Sequence, residues 1–213
     1  MLTSVRRLSV FAVLVLILSV AAAGVSIADA RRANEPQTST IRIRLKGPTL
    51  RVRCRGGDCV VTVEPDPAGG IAVSVTRTRN GVPFTFAKTV HDPTNIAIET
   101  GIGNDSVTVG AVSVPGFLRI GLGSGNDVLD VTGTSCAKKA AIDGGDGNDT
   151  IHLDPGTIGG KFRLNAKAGT DEVDVTGGHF ADKAGFEGGQ GTDHLVMSSG
   201  PFTVPPVVHG FEQ

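Results

Sequence analysis

One spacing governs the second half of this chain: Asp105, Asp127, Asp149, Asp171 and Asp193 recur every 22 residues without an insertion. A unit that short cannot bury its own apolar side chains, so successive units must stack and share one core. Each Asp closes a glycine-rich turn, reading TGIGND, LGSGND, GGDGND, AKAGTD and GGQGTD. Gly103, Gly125, Gly147, Gly169 and Gly191 fill the position two before Asp in every unit, as backbone at positive φ demands. Four before Asp stands Gly in four units and Lys167 in the other.

Apolar residues align in columns around the turn. Two places after each Asp come Val107, Leu129, Ile151, Val173 and Leu195, and four places after it Val109, Val131, Leu153, Val175 and Met197. This alternation predicts a strand with one buried face. Ile98, Ile120, Ile142, Leu164 and Phe186 form a third inward column, and Val114, Cys136, Ile158, Phe180 and Phe202 a fourth. The fold class that follows is all-β, a parallel β-helix or β-roll solenoid of five 22-residue coils over residues 96–213. At ~4.8 Å per coil it is about 24 Å long. Residues 207–213 begin a further coil and stop.

Residues 41–95 keep the alternation and lose the period, in Ile41-Ile43-Leu45, Leu50-Val52-Cys54, Cys59-Val61-Val63, Ile71-Val73-Val75 and Phe84-Phe86. Asn80-Gly81 between the last two is a hairpin signal. They predict an N-terminal β-strand cap, antiparallel or irregular, that shields strand edges and apolar columns of the first coil. Residues 31–40 read as a flexible lead-in. Residues 1–30, with Arg6 and Arg7, an apolar run over 8–23 and Ala28-Asp29-Ala30, read as a signal peptide cleaved after Ala30, which makes the protein secreted. The alternative is an uncleaved membrane anchor, since the apolar stretch extends to Ile27. Cys54 and Cys59 flank four residues and suit a short disulfide in an oxidising compartment, while Cys136, in an inward column, reads as a buried thiol.

The turn and strand start fit G-G-x-G-x-D-x-U-x, best at Gly144-Gly145-Asp146-Gly147-Asn148-Asp149-Thr150-Ile151-His152. Over residues 96–199 the chain resembles the repeats-in-toxin (hemolysin-type) calcium-binding family. The resemblance implies Ca2+ between turns of adjacent coils, held by Asp105, Asp127, Asp149, Asp171 and Asp193 with turn carbonyls, the turns being those of Gly103, Gly125, Gly147, Asn104, Asn126 and Asn148. The family's usual coil carries the nonapeptide twice; here it alternates with a 13-residue segment lacking it, so one row of ions along one edge is implied. Elementary electrostatics points the same way. Carboxylates ~4.8 Å apart repel by roughly 1 kcal/mol per pair in water and about 3 at an effective dielectric of 20, and a hard cation with oxygen ligands removes that cost. One carboxylate per coil makes a weak site, in the ~10⁻⁴ to 10⁻³ M range. With Lys167 able to place an ammonium in the row, the best sites are expected between Asp105, Asp127 and Asp149. A metal-free ladder, in which each Asp accepts hydrogen bonds from turn amides, is the competing reading.

Thirty glycines, no Trp, no Tyr and a formal charge of −1 exclude a basic nucleic-acid domain and leave few aromatic platforms for bases or sugars. The expected function is a secreted, non-enzymatic, calcium-binding solenoid with a structural or adhesive role. Its partners would be calcium and an extracellular polysaccharide or cell-surface component, not nucleic acid, and not membrane once the signal is removed. Two alternatives stand beside it. One is a carbohydrate-acting β-helix enzyme using the outward row Asp130, His152 and Asp174 for acid, base or metal chemistry. The other is a metal-free partner-binding scaffold. The basic stripe Arg42, Arg44, Lys46, Arg51, Arg53 and Arg55 either keeps a strand edge wet or binds an anionic polymer.

Overall fold

The computed structural model describes residues 40–79, 81–198 and 202–212. The expected signal peptide and nearly all of the expected lead-in, residues 1–39, lie outside the described residues.

The N-terminal strands are β1 (Thr40–Lys46), β2 (Thr49–Arg55), β3 (Cys59–Pro65), β4 (Ile71–Arg79) and β5 (Val82–Val90). The coils follow as β6 (Asn95–Glu99), β7 (Ser106–Gly110), β8 (Ser113–Val114), β9 (Leu118–Ser124), β10 (Val128–Thr132), β11 (Ser135–Cys136) and β12 (Ala140–Asp146). The remainder are β13 (Thr150–Asp154), β14 (Thr157–Ile158), β15 (Phe162–Gly169), β16 (Glu172–Val175), β17 (His179–Phe180), β18 (Ala184–Gly191), β19 (His194–Met197) and β20 (Val207–His209). No helix occurs among the described residues, and the strands wind as a parallel β-solenoid.

Each complete coil has three sides. Sheet one runs β1-β2-β6-β9-β12-β15-β18-β20, sheet two β19-β16-β13-β10-β7-β3-β4-β5, and sheet three β17-β14-β11-β8. The aspartate turn is the corner between sheets one and two. Coil-to-coil register is 22 residues, as in Ile142↔Leu164, Leu129↔Ile151 and Cys136↔Ile158. The predicted columns face inward: Ile120, Leu129, Val131 and Cys136 of one coil are all buried. The core thickens toward its C-terminal end, where Phe180 packs between Phe162 and Phe202 at ring-centroid distances of 5.0 and 4.9 Å. At that end Leu195, Met197, Phe202 and Phe211 are only partly buried against the core. β20 pairs with β18 at the 22-residue offset, so a further coil opens at Val207–His209.

Parallel stacking begins earlier than the period shows. β2 pairs with β6 and β3 with β7, both parallel, at an offset of 46 residues (Val52↔Ile98, Val61↔Val107). The excess over 22 is 24 residues, which the β4–β5 excursion consumes. Residues 41–95 are therefore not only a cap. β2 and β3 form two sides of a preceding coil, while β1 lies antiparallel on β2, and β4 and β5 extend sheet two antiparallel from β3. β4 and β5 pair as far as Arg79↔Val82, with Gly81 at φ +76° beside the pairing, and Asn80 of the predicted hairpin signal lies outside the described residues.

Cys54 and Cys59 form a disulfide with Cα atoms 6.4 Å apart. It does not bridge a hairpin but staples the corner that the aspartate turns occupy in later coils, since Cys59 sits 46 residues before Asp105. Closing so short a loop stabilises by roughly 2 kcal/mol on the chain-entropy account. Cys54→Ala/Cys59→Ala is thus expected to lose about that much in denaturant unfolding, with its largest hydrogen-exchange change in β2 and β3. An unchanged midpoint would show that stacking on β6 and β7 alone holds this coil.

Candidate carboxylate row

All five aspartates are buried, each at no more than 1% exposure. Five points of carboxylate inside a solenoid require partners, since burying an uncompensated charge is costly. The backbone supplies half of them. Asp105 N–H donates to Asp127 Oδ1 (2.7 Å), Asp127 N–H to Asp149 Oδ1 (2.9 Å), Asp149 N–H to Asp171 Oδ1 (2.8 Å) and Asp171 N–H to Asp193 Oδ1 (3.0 Å). Cys59 N–H heads the series, donating to Asp105 Oδ1 at 2.7 Å. Each carboxylate thus reaches back one coil and ties it to its own.

A second rail runs the other way on the outer side of the turn. Asn126 N–H donates to Asn104 Oδ1, Asn148 N–H to Asn126 Oδ1 and Thr170 N–H to Asn148 Oδ1, at 2.9, 2.8 and 2.8 Å. Its head is Asp58, whose Oδ1 accepts from Asn104 N–H at 2.9 Å. Sequence reasoning missed Asp58 because the 24-residue excursion hides the repeat. The signal was present: Gly57-Asp58-Cys59 matches Gly103-Asn104-Asp105 at an offset of 46.

The other carboxylate oxygen is where the row is incomplete. Oδ2 of Asp127, Asp149, Asp171 and Asp193 is buried and has no hydrogen-bond partner, whereas Asp105 Oδ2 accepts from Gly101 N–H at 3.2 Å. Burial therefore dominates the titration. It pushes the Asp127 carboxyl up to about 6, against the Asp105 amide and with the Asp105 charge adding to the rise. It pushes Asp149 up to about 7, the Asp127 amide opposing and the charges of Asp127, Asp171 and Asp146 adding. Asp105 and Asp171 are raised as well, again chiefly by burial.

What stands beside Oδ2 is set by the residue five before each Asp, and it differs from coil to coil. A Cβ built on Gly144 would lie 2.8 Å from Asp149 Oδ2 and 2.6 Å from the Ala166 carbonyl oxygen; one on Gly188 would lie 2.7 Å from Asp193 Oδ2 and 2.0 Å from that of Gly210. Two oxygens therefore converge on each cradle that a side chain would fill. Leu122 occupies the corresponding position in the Asp127 coil and is fully buried. Only the turns of Asp149 and Asp193 carry glycine at this position. Lys167 does not enter the row. Its backbone takes the glycine conformation at φ +89°, and its Nζ pairs with Asp143 Oδ2 at 3.4 Å on the outer face of sheet one.

An orphaned carboxylate oxygen facing a carbonyl fits a hard cation, and the remaining ligands would be backbone oxygens. Among the described residues no three His, Cys, Asp or Glu side chains gather into a metal-binding group. The predicted Gly103, Gly125 and Gly147 sit at φ +131°, +131° and +126°, so their part is to let coils approach, and Asn104, Asn126 and Asn148 serve the outer rail.

The outward row Asp130, His152 and Asp174 is in register on β10, β13 and β16. His152 Nδ1 lies 3.5 Å from Asp174 Oδ2, and Asp130 Oδ1 accepts from Thr132 Oγ1 at 2.5 Å. His152 and Asp174 are about two-fifths exposed, so this pair faces solvent. In the basic stripe, Arg53 pairs with Glu99 at 2.8 Å and Arg55 lies 4.0 Å from the same carboxylate.

No family model matches this chain, and neither a curated protein nor a solved structure was found similar to it.

Proposed function

We propose that this protein is a secreted, non-enzymatic calcium-binding β-solenoid whose ions fasten adjacent coils and give it a structural or adhesive role outside the cell. The observation that carries the reading is the in-register series of buried carboxylate oxygens without donors, at Asp127, Asp149, Asp171 and Asp193. A cation satisfies such an oxygen, and the oxygens beside Asp149 and Asp193 offer the first further ligands. The Cys54–Cys59 disulfide supports an oxidising compartment, where calcium is plentiful. Linkage supplies the mechanism: an ion that binds only stacked coils stabilises them by RT ln(1 + [L]/Kd), roughly 1.4 kcal/mol per site at ten times Kd.

Calcium titrated into the chelator-stripped protein, with circular dichroism and melting temperature recorded and magnesium as control, tests this directly. A rise in melting temperature of several degrees with calcium alone is expected, saturating near millimolar concentration as one-carboxylate sites do at about 10⁻⁴ to 10⁻³ M. No response to calcium would leave the row as a hydrogen-bonded ladder and the protein as a metal-free scaffold.

A further inference from the structure

The outer face of sheet one carries a different chemistry from the corner. Arg51, Ala97, Arg119, Ala141, Arg163 and Gly185 lie side by side on β2, β6, β9, β12, β15 and β18, one per coil. Arginine and a small residue alternate along this row, so Arg119 and Arg163 stand two coils apart, about 10 Å at the usual strand spacing, with only Ala141 between them. The adjoining outward column reads Phe117, Lys139, Lys161 and Lys183, again one per coil. Its three lysines are exposed and stacked at strand spacing, where like charges repel.

Small residues between long ones leave a groove of about 470 Å³, lined among others by Phe117, Arg119, Lys139, Ala141, Arg163 and Asn165. Arg163 is held upright by Glu187, its Nη2 2.8 Å from Oε2. Among the described residues, Arg119, Lys139, Lys161 and Lys183 have no ion-pair partner. A chain of net charge −1 has thus placed two cations without an ion-pair partner, Arg119 and Lys139, on the wall of this groove, with Lys161 and Lys183 continuing the lysine column beside it.

We propose that this groove binds an acidic polysaccharide laid along the solenoid axis, its carboxylate or sulfate groups on Arg119, Arg163 and Lys139. Arginine forks suit such oxyanions bidentately. Phe117 offers a face to a sugar ring, and Asn165 and Asp143, also in the lining, offer acceptors to hydroxyl groups. The same lining disfavours nucleic acid. Single strands bind on successive aromatic platforms, and this groove has one. The inference is independent of the calcium reading, since its residues lie on the outer face of sheet one and the carboxylate row lies inside the corner.

Calorimetry with four oligomers tests it: a galacturonate hexamer, a heparin hexasaccharide, neutral maltohexaose and a single-stranded oligonucleotide. Binding of at least one acidic sugar below about 1 mM is expected, with none of maltohexaose. Whichever acid binds more tightly identifies the anionic group. Arg119→Gln should weaken that affinity by about tenfold, and Ala141→Glu, which sets a carboxylate between the two arginines, by more. Both positions face outward, so melting temperatures should stay at the wild-type value, and Lys139→Gln provides the same loss if either variant fails to fold. Binding of neither acid, equal binding of maltohexaose, tighter binding of the oligonucleotide or undiminished affinity in the variants would each overturn the proposal.

Discussion

Gly147→Val is expected to abolish the cooperative melt of the solenoid, whereas Gly185→Val should leave it within about 0.5 kcal/mol of wild type. The contrast follows from where a Cβ would go. At Gly147, φ is +126° and an added Cβ would lie 2.1 Å from the Gly125 carbonyl oxygen of the preceding coil. The coils cannot separate to make room, because Gly147 N–H donates to the Ala168 carbonyl at 2.7 Å and the Asp and Asn rails bind the turn on both sides. Positive φ for a β-branched residue and the collision together cost on the order of 4 kcal/mol or more, a large share of a domain's stability. At Gly185 nothing lies within 4 Å of the added atom, and the strand accepts valine. Far-UV circular dichroism during heating reads both variants, and equal melts would refute the packing argument. Lys167 marks the limit of this reasoning, for the column four before Asp does take a side chain, at φ +89°.

In the presence of a chelator, stability should fall as pH rises from about 4 to 8. The Asp127 and Asp149 carboxyls sit at about 6 and about 7 in the folded protein, against 3.8 unfolded. Between those values the native state holds protons that the unfolded chain has released, so rising pH favours unfolding. The cost is absent below pH 3.8 and complete above about pH 7. Discounted for relaxation around the carboxylates, it amounts to a few kcal/mol at most, or several degrees in melting temperature. Asp149→Asn should flatten much of this slope. The asparagine keeps a carbonyl oxygen for Asp127 N–H and removes the buried charge, so the variant should be more stable than wild type at pH 8 without calcium. Calcium should stabilise the wild type more at pH 8 than at pH 5, because protons and the ion compete for the same oxygens. A flat profile in both proteins would mean that water reaches Oδ2, and the case for an ion would lose its physical basis.

The solenoid and its inward columns were legible because a stacked repeat superposes equivalent residues. Once Asp105 through Asp193 fix the period, the burial of Ile120, Leu129, Val131 and Cys136 follows from alternation alone. The sequence by itself determined the coil length, the buried faces and the positions of the five repeated aspartates. Only the tertiary structure decided the rest, since each remaining feature depends on what lies across a coil boundary. Asp58 and Cys59 joined the rails because β2 and β3 stack in parallel on β6 and β7, a pairing that the 24-residue excursion conceals from any count along the chain. Lys167 turned outward to Asp143, and the space beside Asp149 came from a glycine five residues away and a carbonyl in the next coil. Period is a local property that repetition amplifies, whereas the surroundings of a carboxylate oxygen are set by contacts between coils that no single repeat contains.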